Sequence, residues 1–281
     1  MLWFALALCL LTSLPAAAAP PAGVDLDDLD TWETRAGRAL DGPPGCWDLS
    51  GDLIVAYTAY TAPSLFRRAS PEPTRMSGTF TGRIVDGTWS SFGYRLARPS
   101  EEGTELDIPV VPLTGRIDPD VSQRLDVPPP DEQRARSKVA VEGGGEDEAL
   151  NLLHGTIEAI DPSTTTAWAE WREDDQAVRV VQDVPMHDGD RADTLVIATL
   201  FPSGAADATA VDVVFPRRIR RSEGLVRFGI YDAQMHLRNQ HVGERLLPAK
   251  ESVSLGVGAL GFTVGYEQTL TYRTATPCPA P

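Results

Sequence analysis

The feature that most constrains this chain is a period-two run closed by a tight turn. Met76, Gly78, Phe80, Gly82 and Ile84 alternate with Ser77, Thr79, Thr81 and Arg83, and Asp86-Gly87 then leads into Thr88–Leu96. Alternation of period two sends successive side chains to opposite faces of a strand, and Asp-Gly supplies the positive φ that a two-residue type I′ turn requires. The segment is therefore an antiparallel hairpin. Counting out from the turn sets Ile84 opposite Trp89 and Phe80 opposite Gly93, so that an aromatic ring covers bare backbone and pins the register.

The same reading extends along the chain. Phe262, Val264, Tyr266, Leu270 and Tyr272 share one face of a last strand, with Thr263, Glu267, Thr269, Thr271 and Arg273 on the other. Val253, Leu255, Val257 and Ala259 oppose Ser252, Ser254, Gly256 and Gly258 in the same way. Further runs bounded by Gly, Pro or Asp cover Leu53–Tyr60, Thr165–Trp171, Val178–Val184, Val211–Phe215 and Leu225–Tyr231. Leu195–Phe201 is nearly continuous apolar sequence and reads as a central strand buried on both sides. Helical periodicity is confined to Asp30–Leu40 and Glu148–Ile160, the second interrupted by Gly155. These patterns predict a mainly β protein: an antiparallel curved sheet, barrel or half-barrel, with one or two short helices, and a β-sandwich as the alternative.

Residues Leu2–Leu14 are almost wholly apolar yet too short to span a bilayer as a helix, and Pro15 and an alanine run from Ala16 to Ala19 follow. This reads as a secretory signal over residues 1–18, cleaved after Ala18, which directs the protein to the periplasm or the extracellular space. Of three cysteines, Cys46 and Cys278 would then remain, and an even count in an oxidising compartment predicts a disulfide between them. The organisation expected is an acidic tail and short helix over 19–41, followed by a single β-rich domain over 42–281, with a two-domain arrangement as the alternative. A Pro- and Gly-rich loop near 127–148 is read as a mobile excursion from that domain.

With 40 acidic against 25 basic residues, the chain carries a formal charge of −15. A surface of that sign repels phosphate backbones and anionic headgroups, which argues against general nucleic-acid or membrane-surface binding, and no transmembrane span is expected. The string Gly256-x-Gly258-x-x-Gly261 matches a dinucleotide fingerprint, but an alternating strand follows where a helix should begin. No G-x-S-x-G, S-x-x-K, H-E-x-x-H or Walker sequence occurs.

Four features carry candidate chemistry. Arg217, Arg218, Arg220 and Arg221 form a basic knot suited to gripping an anionic small ligand. The smooth side carrying Gly256 and Gly258 would let a helix pack closely or would line a ligand cavity. His187, Asp188, Asp190 and Asp193 make an oxygen-rich turn that calcium would suit, although the closing Glu of an EF-hand is missing. His236 and His241 with Glu244 offer further metal-capable groups. Gly45-Cys46-Trp47 resembles the glycine-x-tryptophan entry of lipocalins over those three residues alone, and no family is identified from it.

The leading expectation is an exported non-enzymatic protein that binds an apolar or amphipathic ligand or a cell-envelope component. A hydrolase with a dispersed carboxylate and histidine site is the second reading, and a structural or surface-interaction module the third.

Overall fold

A computed structural model of the chain describes residues 20–60, 73–97, 110–117, 165–188, 191–216, 218–223, 226–243, 245–259 and 262–279. Among the described residues the elements are one helix, α1 (Leu29–Gly37), and twelve strands. The strands are β1 (Cys46–Tyr60), β2 (Thr74–Val85), β3 (Thr88–Ala97), β4 (Arg116–Ile117), β5 (Thr166–Arg172) and β6 (Ala177–Asp188). They continue with β7 (Arg191–Pro202), β8 (Ala210–Val214), β9 (Arg218–Glu223), β10 (Val226–Val242), β11 (Arg245–Ala259) and β12 (Phe262–Pro277). The expected signal segment, the helix over Glu148–Ile160 and the loop near 127–148 lie outside the described residues.

All twelve strands belong to one sheet, in the order β4-β3-β2-β1-β12-β11-β10-β8-β7-β6-β5. Every pairing is antiparallel except the short β3–β4 contact, and β9 joins off this path through β10. The two ends of the order do not pair, so the curved sheet is an open half-barrel, as the alternation in the sequence implies. β10 is long enough to serve two partners: Val226–Tyr231 pairs β9, Gln234–Arg238 pairs β8, and a bulge with Asp232 at φ 48° separates the halves.

Register decides which residues make the core. Leu53, Leu270, Glu251, Leu237, Val211, Thr199 and Val180 stand side by side across seven strands, and all are buried. The next inward row is Val55, Gln268, Val253, Met235, Val213 and Ile197, again all buried. Between them, Thr269, Ser252, His236, Asp212 and Ala198 face the other way. One face of the sheet is thus mainly apolar, with Glu251, Gln268, Thr199 and Gln182 as its polar members, and the other carries more polar side chains, with Ile54, Trp168 and Val214 exposed among them.

The Asp86-Gly87 turn forms as expected, with positive φ at both residues, and Ile84 stands opposite Trp89. Phe80, however, opposes Tyr94, while Gly93 opposes Thr81. The reason is a bulge between Arg83 and Ile84, which inserts one residue beyond the first pair and shifts everything after it. The ring still covers a glycine, but on the other side: a Cβ at Gly51 would meet Phe80 Cε1 at 2.8 Å. A second correction concerns Leu195–Phe201. It lies in β7, third from one edge, with Leu195, Ile197, Thr199 and Phe201 buried and Val196, Ala198 and Leu200 partly exposed. A continuous apolar run fits a one-sided strand because a partly exposed aliphatic side chain costs little.

Helix α1 closes part of the open side. Asp28 caps it, accepting from Thr31 N, and Trp32 and Ala36 turn into the core. Trp32 packs against Phe201 at 5.6 Å between ring centroids, and the Arg35 guanidinium lies 4.4 Å from each ring while donating to Ala206 O. At the far end, Cys46 and Cys278 form the expected disulfide, and Cys278 N donates to Cys46 O. The start of β1 is thereby tied to the end of β12.

Candidate functional site

A cavity of about 780 Å³ lies between α1 and the inner face of the sheet. Its floor is aliphatic: Ile197, Val211, Val213, Met235 and Leu237, contributed by β7, β8 and β10. These residues are in phase along their strands, so the alternation that builds the core also builds the floor. On the opposite side α1 contributes Asp30, Glu33, Thr34, Ala36 and Gly37, with Leu40 and Asp41 just beyond it. Leu113, Gly115 and Arg116 form one end, where Arg116 reaches Asp41 at 3.6 Å.

That end is built by an extended piece of chain laid over the inner face. Gln268 binds Val111 through both groups of its carboxamide: Val111 N donates to Oε1 at 3.1 Å and Nε2 donates to Val111 O at 2.7 Å. Leu113 N and Thr114 N donate to the two oxygens of Glu251, at 2.6 and 3.0 Å, and Tyr272 OH donates to Oε1 at 2.9 Å. Tyr266 OH supports Gln268, and Trp89 Nε1 donates to Thr114 O. Side chains here do the work that a neighbouring strand would do elsewhere, satisfying backbone groups that would otherwise be buried without partners. Gly115 has φ 79° because the chain turns there against Gly87 and Ile84, with no room for a Cβ.

Complete burial pushes the Glu251 carboxyl above its usual range, against the pull of the hydrogen bonds from Thr114, Leu113 and Tyr272. The Tyr272 hydroxyl, buried beside that carboxylate, is pushed well above the ordinary tyrosine value. Neither residue featured as a candidate in the sequence, although the signal was there. Glu251 is in phase with Val253 and Leu255, and Gln268 with Tyr266 and Leu270, so each is a polar residue on an inward position.

The outer face carries a second polar group. Asp212 Oδ1 accepts from His236 Nδ1 and lies within reach of Arg238 NH1, both at 2.7 Å. Partial burial raises the Asp212 carboxyl, but the hydrogen bonds from Arg238 and His236 outweigh it and hold the group below its usual range. Arg179 pairs with Glu170, and Arg172 with Asp175, beside it. Each cation in this group therefore meets a carboxylate of the same face.

The residues singled out from the sequence are spread over the sheet. Arg218, Arg220 and Arg221 lie on β9, and Arg217 lies outside the described residues; Arg218 stacks over Tyr231 at 5.0 Å. Gly256 and Gly258 lie on β11, opposite Tyr231 and Gly229. They face away from buried Val253, Leu255 and Val257, and the Tyr231 Cβ lies 3.6 Å from where a Cβ at Gly256 would stand. His187 and Asp188 end β6 and Asp193 follows the start of β7, at the tip of that hairpin, while Asp190 lies outside the described residues. His236 and His241 are five residues apart on one strand, roughly 16 Å along it, and His241 stands opposite Leu246. Among the described residues no three His, Cys, Asp or Glu side chains gather where one metal ion would fit, and no helix is long and apolar enough to cross a membrane.

No family model, curated protein or solved structure matches this chain.

Proposed function

We propose that this is an exported, non-enzymatic binding protein that holds one apolar or amphipathic small molecule against the inner face of its half-barrel. The observation that carries the reading is the cavity of about 780 Å³ on an aliphatic floor. Small-molecule sites are typically roughly 300–1,000 Å³ in volume, concave and mostly apolar, with a few polar groups that orient the ligand. Ile197, Val211, Val213, Met235 and Leu237 supply the apolar part, while Gln182, Thr34, Asp30, Glu33 and Arg116 supply polar groups around it. The acid–base pair of His236 and Asp212 faces the other way, which favours binding over hydrolysis as the use of this cavity. Export is supported by the apolar segment Leu2–Leu14 with its alanine run and by the Cys46–Cys278 bridge.

The test combines native mass spectrometry of protein purified from its own host with titration of the neutral fluorophore N-phenyl-1-naphthylamine. The expected results are a retained small molecule and one probe bound per chain. In Val213→Phe, which narrows the floor, probe binding should fall at least ten-fold while the circular dichroism spectrum stays unchanged. A bare mass across preparations together with no probe uptake by the native protein overturns the proposal.

A further inference from the structure

Helix α1 turns one stripe into the core and lays a second, largely exposed one along the mouth of the cavity. Trp32 and Ala36, one turn apart, point into the core. Asp30, Glu33, Thr34 and Gly37, spaced i, i+3, i+4 and i+7, lie along the adjoining stripe and border the cavity, and Asp41 follows the helix on the same border. The only cation among the described lining residues is Arg116, and it stands 3.6 Å from Asp41. Those two charges offset each other, which leaves Asp30 and Glu33 as the net charge of the rim. An aliphatic floor beneath an acidic rim sorts ligands by the sign of their polar end. An apolar body gains by leaving water for the floor, while an anionic head would be held beside two carboxylates.

We infer that the molecule held in the cavity is a cationic amphiphile, an alkyl or aryl body ending in an ammonium or amidinium group that lies between Asp30 and Glu33. This rests on the cavity being a binding site, as proposed above, and adds the charge of the occupant. The formal charge of −15 acts in the same direction, raising the local concentration of cations around the protein. The carboxylates are on the wet side of the cavity, so their contribution is that of partly exposed charge pairs and is weakened by salt.

Displacement of N-phenyl-1-naphthylamine by three twelve-carbon amphiphiles, each below its micelle threshold, tests the inference. The three are dodecyltrimethylammonium, the uncharged dodecyldimethylamine oxide and dodecanoate. The cation should displace the probe at about five-fold lower concentration than the uncharged compound, as two exposed pairs would provide, and dodecanoate should be the weakest. In Asp30→Asn/Glu33→Gln the three displacement concentrations should converge, and in the native protein the preference should shrink at 1 M NaCl. Equal displacement by all three, or preference for dodecanoate, overturns the cationic assignment and leaves the binding proposal standing. Failure of the probe to bind to protein of bare mass overturns both.

Discussion

Leu113 N donates to Glu251 Oε2 at 2.6 Å across 138 residues of chain, fully buried on the inner face. Glu251 receives Thr114 N and Tyr272 OH as well, so three donors converge on one carboxylate, and no cation among the described residues pairs with it. Donors are what hold the charge there, and Glu251→Gln replaces one acceptor oxygen with an N–H that meets another donor. The expected loss is about 2–4 kcal/mol, read as a lower denaturant midpoint. Burial sets the pH dependence. The folded Glu251 carboxyl lies above its usual value, so its favourable contribution is complete below the ordinary carboxyl range and declines as pH rises through the raised folded value. That decline should be missing from the Gln variant. A Gln variant with native stability would show that the carboxylate is not what holds Leu113 and Thr114.

The half-barrel was legible in the sequence because its cause is local. A residue's face follows from its parity, and Asp86-Gly87 marks a turn by its own backbone preference. Register was legible only as far as the first bulge: Ile84 meets Trp89, but the extra residue Ser90 on β3 moves Phe80 from Gly93 to Tyr94. The cavity was not legible. It arises where α1 crosses strands far from it in the chain, and period-two counting says nothing about what lies over a face. Glu251 and Gln268 broke the inward pattern in plain view, and their partners, Val111 to Thr114, bear no sequence mark that pairs with them.

Thr199 offers a cleaner case of an inward polar group. It is fully buried between Val180 and Val211, and its hydroxyl has no hydrogen-bond partner among the described residues. Valine has nearly the same shape and removes the unsatisfied oxygen. Thr199→Val should therefore stabilise the fold by about 1 kcal/mol, seen as a higher denaturant midpoint at unchanged slope. A loss of stability would mean that the hydroxyl has a partner in solution.

The Cys46–Cys278 bridge closes a loop of 232 residues. In the chain-entropy account a loop of that length is worth about 5 kcal/mol. Both ends are already in register, with Trp47 opposite Pro277, so the bond constrains the unfolded chain more than it shapes the native one. Cys46→Ser/Cys278→Ser should retain the strand signature in circular dichroism while melting about 10–20 °C lower. Non-reducing peptide mapping should recover the two cysteines in one linked fragment. Free thiols at both positions in protein purified from its own host would defeat the prediction.

Asp212 should show the opposite pH behaviour to Glu251. Arg238 and His236 hold its folded carboxyl below the usual range in spite of partial burial. A lowered folded value means that the contribution is present above the unfolded carboxyl value and is lost as pH falls through the folded one. All three side chains are more than a third exposed, so solvent screening limits the contribution to about 0.5–1 kcal/mol. Asp212→Asn should cost that amount at pH 7 and make part of the acid-side loss of stability disappear. The native and variant proteins should converge as the pH is taken below the carboxyl range, and 1 M NaCl should narrow the gap at pH 7. A difference between them that stays constant from pH 7 down to pH 2 would show that the Asp212 carboxylate acts through its shape rather than its charge.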